Sequence, residues 1–423
     1  MIYTRIEDKK GLSMEAAKAA FMEGLAKLGK RERVLLIPPD ITRIHGLGGM
    51  LAVWATEFYG SAVKQILPAL GTHVPMTPKE IEVMYPGVDP SLFTVHDWRN
   101  DIVTIGTVPK EFIEEVSEGK LSYEWKAQVN KALVHGGFDL ILSLGQVVPH
   151  EVIGMANYNK NVFVGTGGAD GINKSHYLGA VYGMERIMGR TDSPVRAVLD
   201  YAEKHFAQEL PLVYALTVVG RNDHGEMKPM GLFVGDDRSC YEEAAALSLE
   251  VNFTMVPEPL EKVVVYLDPE EFRTTWLGNK SIYRTRMAIA DNGELIVLAP
   301  AVAGFGEDEE IDRLIRKYGY KGTPKVLSDV EKHKDLKDNL SAAAHLIHGS
   351  SEGRFTIRYC PGKLTREEIE EVGYEWGDLQ QMLQRYPIES LKDGWNTDAQ
   401  GERFYYISNP AIGLWAHSGR FND

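Results

Sequence analysis

What most constrains this chain is a series of short apolar runs, each ending in a polar or glycine-rich loop. RVLLIPPD (33–40), VKQILPALGTH (63–73) and FDLILSLGQVVPH (138–150) read as buried strands. Such runs suit a parallel sheet covered by helices on both faces. The intervening sequence supplies those helices. Ser13 to Leu28 has apolar residues at helical spacing behind a serine cap, GLGGMLAVWATEFYG (46–60) gives a glycine loop and a helix, and a helix starts at Thr77. The alternation predicts an α/β fold with a doubly wound, mostly parallel sheet.

Further along, FTVHDW (93–98) and DIVTIGTV (101–108) read as short strands, and 151–190 as a glycine-rich stretch with little strand signal, an active-site lid or a long surface loop. Residues 191–209 read as a helix, and 211–220 and 230–235 as strands. At VPEPLEKVVVYL (256–267) two prolines precede a fresh strand, so a domain boundary is placed there. The expected organisation is a catalytic and cofactor-binding domain over 1–260 and a smaller α/β domain over 261–423, with the active site in the cleft between them. The second domain would hold DNGELIVLAP (291–300), an acidic helix at 307–320 and a last strand at 354–360.

The 423 residues exceed what one core accommodates. A formal charge of −14 argues against nucleic acid and anionic membrane surfaces as partners, but a local cluster of Arg and Lys still permits an anionic substrate. Two distant cysteines, Cys240 and Cys360, make no disulfide framework. With no apolar leader and no run of about 18 apolar residues, the chain reads as soluble and cytoplasmic.

Sheets of this kind collect ligands outside the carboxyl ends of their strands. Asp40 with Thr42 and Arg43, then His73, then His150 all stand at such ends. Taken singly, each has an ordinary reading. Asp40 and Arg43 are a loop cap with a surface cation, or a guanidinium offered to a carboxylate. His73, between Gly71 and Pro75, is a solvated bystander or a general base working near neutral pH. His96 reads as structural. The densest segment, PHEVIGMANYNKNVFVGTGGADGINKSH (149–176), contains His150, Lys160 and His176 without the spacing of a conventional zinc motif.

In order along the chain, Asp40-Ile-Thr-Arg43, Gly71-Thr-His73, Pro149-His150 with Lys160 ten residues on, and Asn173-Lys-Ser-His176 resemble the lactate racemase family. The resemblance implies a nickel-pincer nucleotide made from nicotinic acid by dedicated cofactor-synthesis proteins. It implies that Lys160 carries this group through a thioamide, that His176 ligates the nickel, and that Asp40 and Thr42 contact the nucleotide. His73 and His150 would be the acid and base on opposite sides of a 2-hydroxy acid whose carboxylate Arg43 holds. The family's Ser-Gly-Gly before the lysine is here Ala156-Asn157-Tyr158-Asn159. The family's second-domain substrate lysine has no clean match, and Lys280, Arg284 or Arg286 could replace it. These extra cations suggest a substrate more hydroxylated than lactate, such as an aldonic acid epimerised at C2. Three other readings stand beside this one. A nicotinamide-dependent dehydrogenase requires a glycine fingerprint that is absent, a metal-dependent hydrolase requires three clustered ligands, and the third is a sugar-acid binding protein.

Overall fold

In the computed structural model, which describes every residue except Asp223, Ile412, Asn422 and Asp423, the apolar runs become neighbouring strands of one sheet. Its order is Ile2–Glu7, Met227–Gly235, Leu212–Arg221, Leu140–Gln146, Val34–Ile37, Val63–Ile66. The last four pair in parallel, and the first two join as an antiparallel edge. Alternate residues feed opposite faces, as expected from the pleat. Leu35, Ile37 and Ile141 enter one core, whereas Val34, Leu36, Leu140 and Leu142 enter the other. The sheet is therefore buried on both sides, which explains strands without polar alternation.

Helix starts follow their chemistry. Ser13 accepts from the Ala16 amide at 3.1 Å ahead of Met14–Leu28, and Thr77 forms a reciprocal capping box with Glu80 ahead of Pro78–Met84. Gly49 opens the helix Gly48–Tyr59 where a Cβ would lie 2.4 Å from the Met84 carbonyl oxygen. That close packing accounts for this glycine.

Two stretches differ from expectation. Phe93 to Trp98 makes no strand, only an isolated bridge between Ile66 and Phe93, because His96 is buried and bonded through both ring nitrogens. Its Nε2 lies 2.9 Å from the Gly167 carbonyl and its Nδ1 3.0 Å from the Asn130 amide. Residues 151–190 are not a lid or surface loop. They contain a π-helical turn, Asn161–Gly165, and a helix, Ala169–Tyr182, and much of the stretch is buried. The glycines there are packing positions, since a Cβ at Gly167 would overlap the Phe163 carbonyl at 1.9 Å.

The chain separates into two compact units, Met1–Leu178 with Met188–Asn252, and Gly179–Ile187 with Phe253–Asp423. The second unit has its own sheet in the order Glu375–Trp376, Thr356–Pro361, Ile289–Ala299, Leu260–Tyr266, Arg403–Ile407, Gly394–Thr397, parallel except at the last pair. The strand expected to be last, at 354–360, is followed by four more. Polar, aromatic-rich stretches such as RFYYI hide them from a search for apolar runs. Among the described residues, no helix is long and apolar enough to cross a membrane.

Candidate active site

The strand Val34–Ile37 runs into Pro38-Pro39, and Asp40 then caps the short helix Ile41–Gly46. Both donors of Thr42 reach the same Asp40 oxygen, the amide at 3.1 Å and the hydroxyl at 2.5 Å. The other carboxylate oxygen faces Nδ1 of His73 at 2.5 Å. Burial works against the ionised Asp40. The charge and hydrogen bond of His73, with Thr42 and Arg43 behind them, nevertheless hold its pKa below the ordinary value. His73 itself is fixed by Gly71 donating to the Gly165 carbonyl at 2.8 Å and its own amide donating to Leu70 at 2.9 Å. An ionised carboxylate only accepts, so Nδ1 of His73 carries a hydrogen, and whenever the ring is neutral the lone pair is on Nε2.

His150 has the opposite arrangement. It lies in a two-residue strand, Pro149–His150, that turns back on Gly154–Met155. The Val152 amide donates to Nδ1 of His150 at 3.1 Å, so the neutral ring carries its hydrogen on Nε2. Burial drives the His150 pKa well down. Glu151 opposes that fall, and Lys160, Arg43 and His176 add to it. The Glu151 carboxylate stands 3.5 Å from Nδ1.

Lys160 immediately precedes the turn Asn161–Gly165. Burial pushes its amine down to about 8, the cation of Arg43 and then that of Arg196 push the same way, and Glu151 and Asp40 resist. His176 lies within the helix Ala169–Tyr182, where its Nδ1–H donates to the Ile172 carbonyl at 2.7 Å. This fixes the lone pair on Nε2, the orientation in which a histidine ligates a metal. Burial lowers the His176 pKa, and Lys160 and His73 act in the same direction.

These mutual influences tie Asp40, Arg43, His73, His150, Lys160 and His176 into one electrostatic cluster in the first unit. Thr42 belongs to it through Asp40. Among the described residues, the Arg43 guanidinium has no hydrogen-bond or ion-pair partner in the protein. Three parallel strands adjacent in the sheet deliver Asp40, His73 and His150, as the strand-end argument anticipated. Glu151 was not singled out from sequence, although it directly follows His150; with Asp40 it acts on the cluster as an acid. Lys280 and Arg286 belong to the second unit. There the Lys280 ammonium lies 3.8 Å from Glu271, and Arg286 donates to Glu185 at 3.1 Å.

Among the described residues, no three His, Cys, Asp or Glu side chains come together as a metal-binding group. Nε2 of His176 would supply one donor to a metal whose remaining donors come from a bound ligand. Imidazole suits nickel. A partly desolvated amine such as that of Lys160 suits covalent attachment.

The sheet and the cluster at its carboxyl edge define an α/β protein with a site of buried histidines, a lysine and an arginine at its strand ends. Residues 15–187 match the lactate racemase N-terminal domain, a span that contains every clustered residue. A crystal structure of a protein from Thermotoga maritima superposes with a TM-score of 0.82 at 24% identity, covering 98% of this chain and 100% of that one. The lactate racemase apoprotein from Thermoanaerobacterium thermosaccharolyticum superposes with a TM-score of 0.66 at 18% identity, covering 92% of this chain and 88% of that one. No curated protein matches the chain.

Proposed function

We propose that this protein is a 2-hydroxy-acid racemase or epimerase that uses a nickel-pincer nucleotide. Lys160 would hold that group and His176 would ligate its nickel, with Asp40 and Thr42 beside the nucleotide. When bound, that group would supply a hydride acceptor and donor for C2 of the substrate. The remaining work falls to side chains of this chain. The unpaired Arg43 guanidinium holds the substrate carboxylate. In one direction, Nε2 of His73 takes the hydroxyl proton, and Asp40 stabilises the resulting imidazolium. His150, neutral at rest, first takes a proton at Nδ1, giving up the Val152 donation, where the Glu151 carboxylate 3.5 Å away stabilises the cation; its Nε2 proton then passes to the oxygen of the inverted product. In the reverse direction the two histidines exchange duties. The observation that carries this reading is the His73 Nε2 lone pair, backed by a buried carboxylate, in the same charged cluster as His150, Lys160 and Arg43. Glu151 and the cations around it favour a hydroxylated substrate such as an aldonic acid.

The test is to produce the protein together with the cofactor-synthesis proteins and measure intact mass, bound nickel and visible absorbance. Chiral chromatography of a panel of 2-hydroxy acids then reads the reaction. The expected result is a mass adduct that disappears in Lys160→Ala, and inversion of at least one acid. The proposal is overturned if neither an adduct nor inversion appears in cells that load a known lactate racemase.

A further inference from the structure

Directly before Lys160 the backbone takes an unusual path. Asn157 has φ +67° and Tyr158 φ +58°, two successive non-glycine residues in the left-handed region. Single residues visit that region at a cost of about 1 kcal/mol, and consecutive ones persist only where the surroundings impose them. One side chain supplies most of that constraint. Arg196 is fully buried, on the helix Pro194–Phe206. It donates to the carbonyls of Met155 at 2.8 Å and Asn157 at 3.3 Å, and to the side-chain oxygen of Asn159. Its guanidinium lies over Tyr241 at 4.3 Å, and Tyr241 stacks on Tyr158 at 5.3 Å. The amide of Asn159 continues to Asp200 at 2.7 Å and Glu203 at 2.9 Å. Arg196, Asp200 and Glu203 fall at i, i+4 and i+7, one face of a single helix. The planar fork of arginine reaches three acceptors at once, which a lysine ammonium cannot do in the same geometry.

We propose that Arg196, acting with Asn159, is the positioning residue for Lys160: it locks residues 155–159 in their left-handed turn and so aims the Lys160 amine at its site. Arg196 touches no reacting atom. The inference rests on Lys160 being the cofactor-bearing residue, but it is tested on the amine itself. Around that amine stand Arg43, Arg196, His150 and His176 on the cationic side and Asp40 and Glu151 on the acidic side.

The experiment is competitive acylation of cofactor-free, full-length protein with acetic anhydride across pH 6–11. The Lys160 peptide is quantified by mass spectrometry, and folding is checked by circular dichroism. In the parent protein the Lys160 midpoint should fall near 8, the value to which its surroundings push it. Three variants separate position from charge. Arg196→Gln removes both the fork and the charge, Arg196→Lys keeps the charge and loses the fork, and Asn159→Ala keeps Arg196 and removes its bridge to the helix. If position matters, all three should move the midpoint up by roughly one pH unit or more, a drop of about tenfold in reactive amine at pH 7. A parental midpoint in folded Arg196→Lys and Asn159→Ala, with a shift confined to Arg196→Gln, would reduce Arg196 to a distant charge and overturn the proposal. Should the Arg196 variants fail to fold, Asn159→Ala decides alone. Absence of any cofactor adduct in the parent protein would count against the racemase reading and leave this measurement unaffected.

Discussion

Asp40→Asn is the substitution on which the proposed chemistry depends most sharply. The side chains are isosteric, but the hydrogen bonds are not. Both Thr42 donors go to one Asp40 oxygen, so the asparagine must keep its oxygen there and turn its amide toward His73. An amide donates, and Nδ1 of His73 must then accept, which moves the ring hydrogen to Nε2. His73 would then have the same tautomer as His150, and the site would have no resting base. Removing a positioned base typically lowers the rate by ~10²–10⁴-fold, or about 3–5 kcal/mol of barrier. Chiral chromatography on cofactor-loaded protein reads that loss in both directions, since racemisation needs both histidines. Two-bond ¹⁵N–¹H correlation on the cofactor-free protein reads the cause independently. His73 should show an Nδ1–H tautomer and His150 an Nε2–H tautomer in the parent, and both should show Nε2–H in Asp40→Asn. A fully folded Asp40→Asn that turns over within about threefold of the parent, with His73 still protonated at Nδ1, would refute the tautomer argument.

Three further outcomes are expected. Lys160 is depressed from its unfolded value to about 8, so the unfolded chain binds the extra proton between those two values and stability rises with pH through that window. Lys160→Met should therefore abolish the adduct yet stabilise the fold at pH 7 by roughly 2 kcal/mol or less, seen as a higher Tm in differential scanning fluorimetry, with the advantage shrinking toward pH 10. His96→Ala should lower stability by about 1–3 kcal/mol, because it strands the buried Gly167 carbonyl and leaves the Asn130 amide with Asp101 alone, and leave turnover within a few fold, as a thermal melt and the chiral assay would show. His176→Ala should keep the Lys160 mass adduct and lose nickel measured by metal analysis; retention of stoichiometric nickel would remove His176 as the ligand.

Apolar strands that end in polar loops make the position of the site legible in the sequence. The runs at 33–40, 63–73 and 138–150 pair side by side in parallel, so Asp40, His73 and His150 necessarily share an edge. The tautomers were not legible, because they depend on which backbone or carboxylate group meets each ring. The Val152 amide and the Ile172 carbonyl are invisible in a residue list. The 151–190 stretch misled for a related reason. Its glycines look like loop residues, but they fit a helix against the strand Trp125–Asn130, where a Cβ at Gly171 would meet the Trp125 ring at 3.1 Å. Arg196 gave no signal, since a buried guanidinium looks the same in sequence as a surface one.

The helix that carries His176 starts in the first unit and ends in the second, because the chain lends residues 179–187 to the second unit before returning at Met188. Glu185 lies within that loan and receives Arg286 and Arg354. A gene cut after Asn252 would therefore yield neither part whole. The downstream piece would lack Glu185, and the buried Arg286 would lose its carboxylate partner, a loss that costs several kcal/mol. The upstream piece would keep a helix end with nothing of its own to fold against.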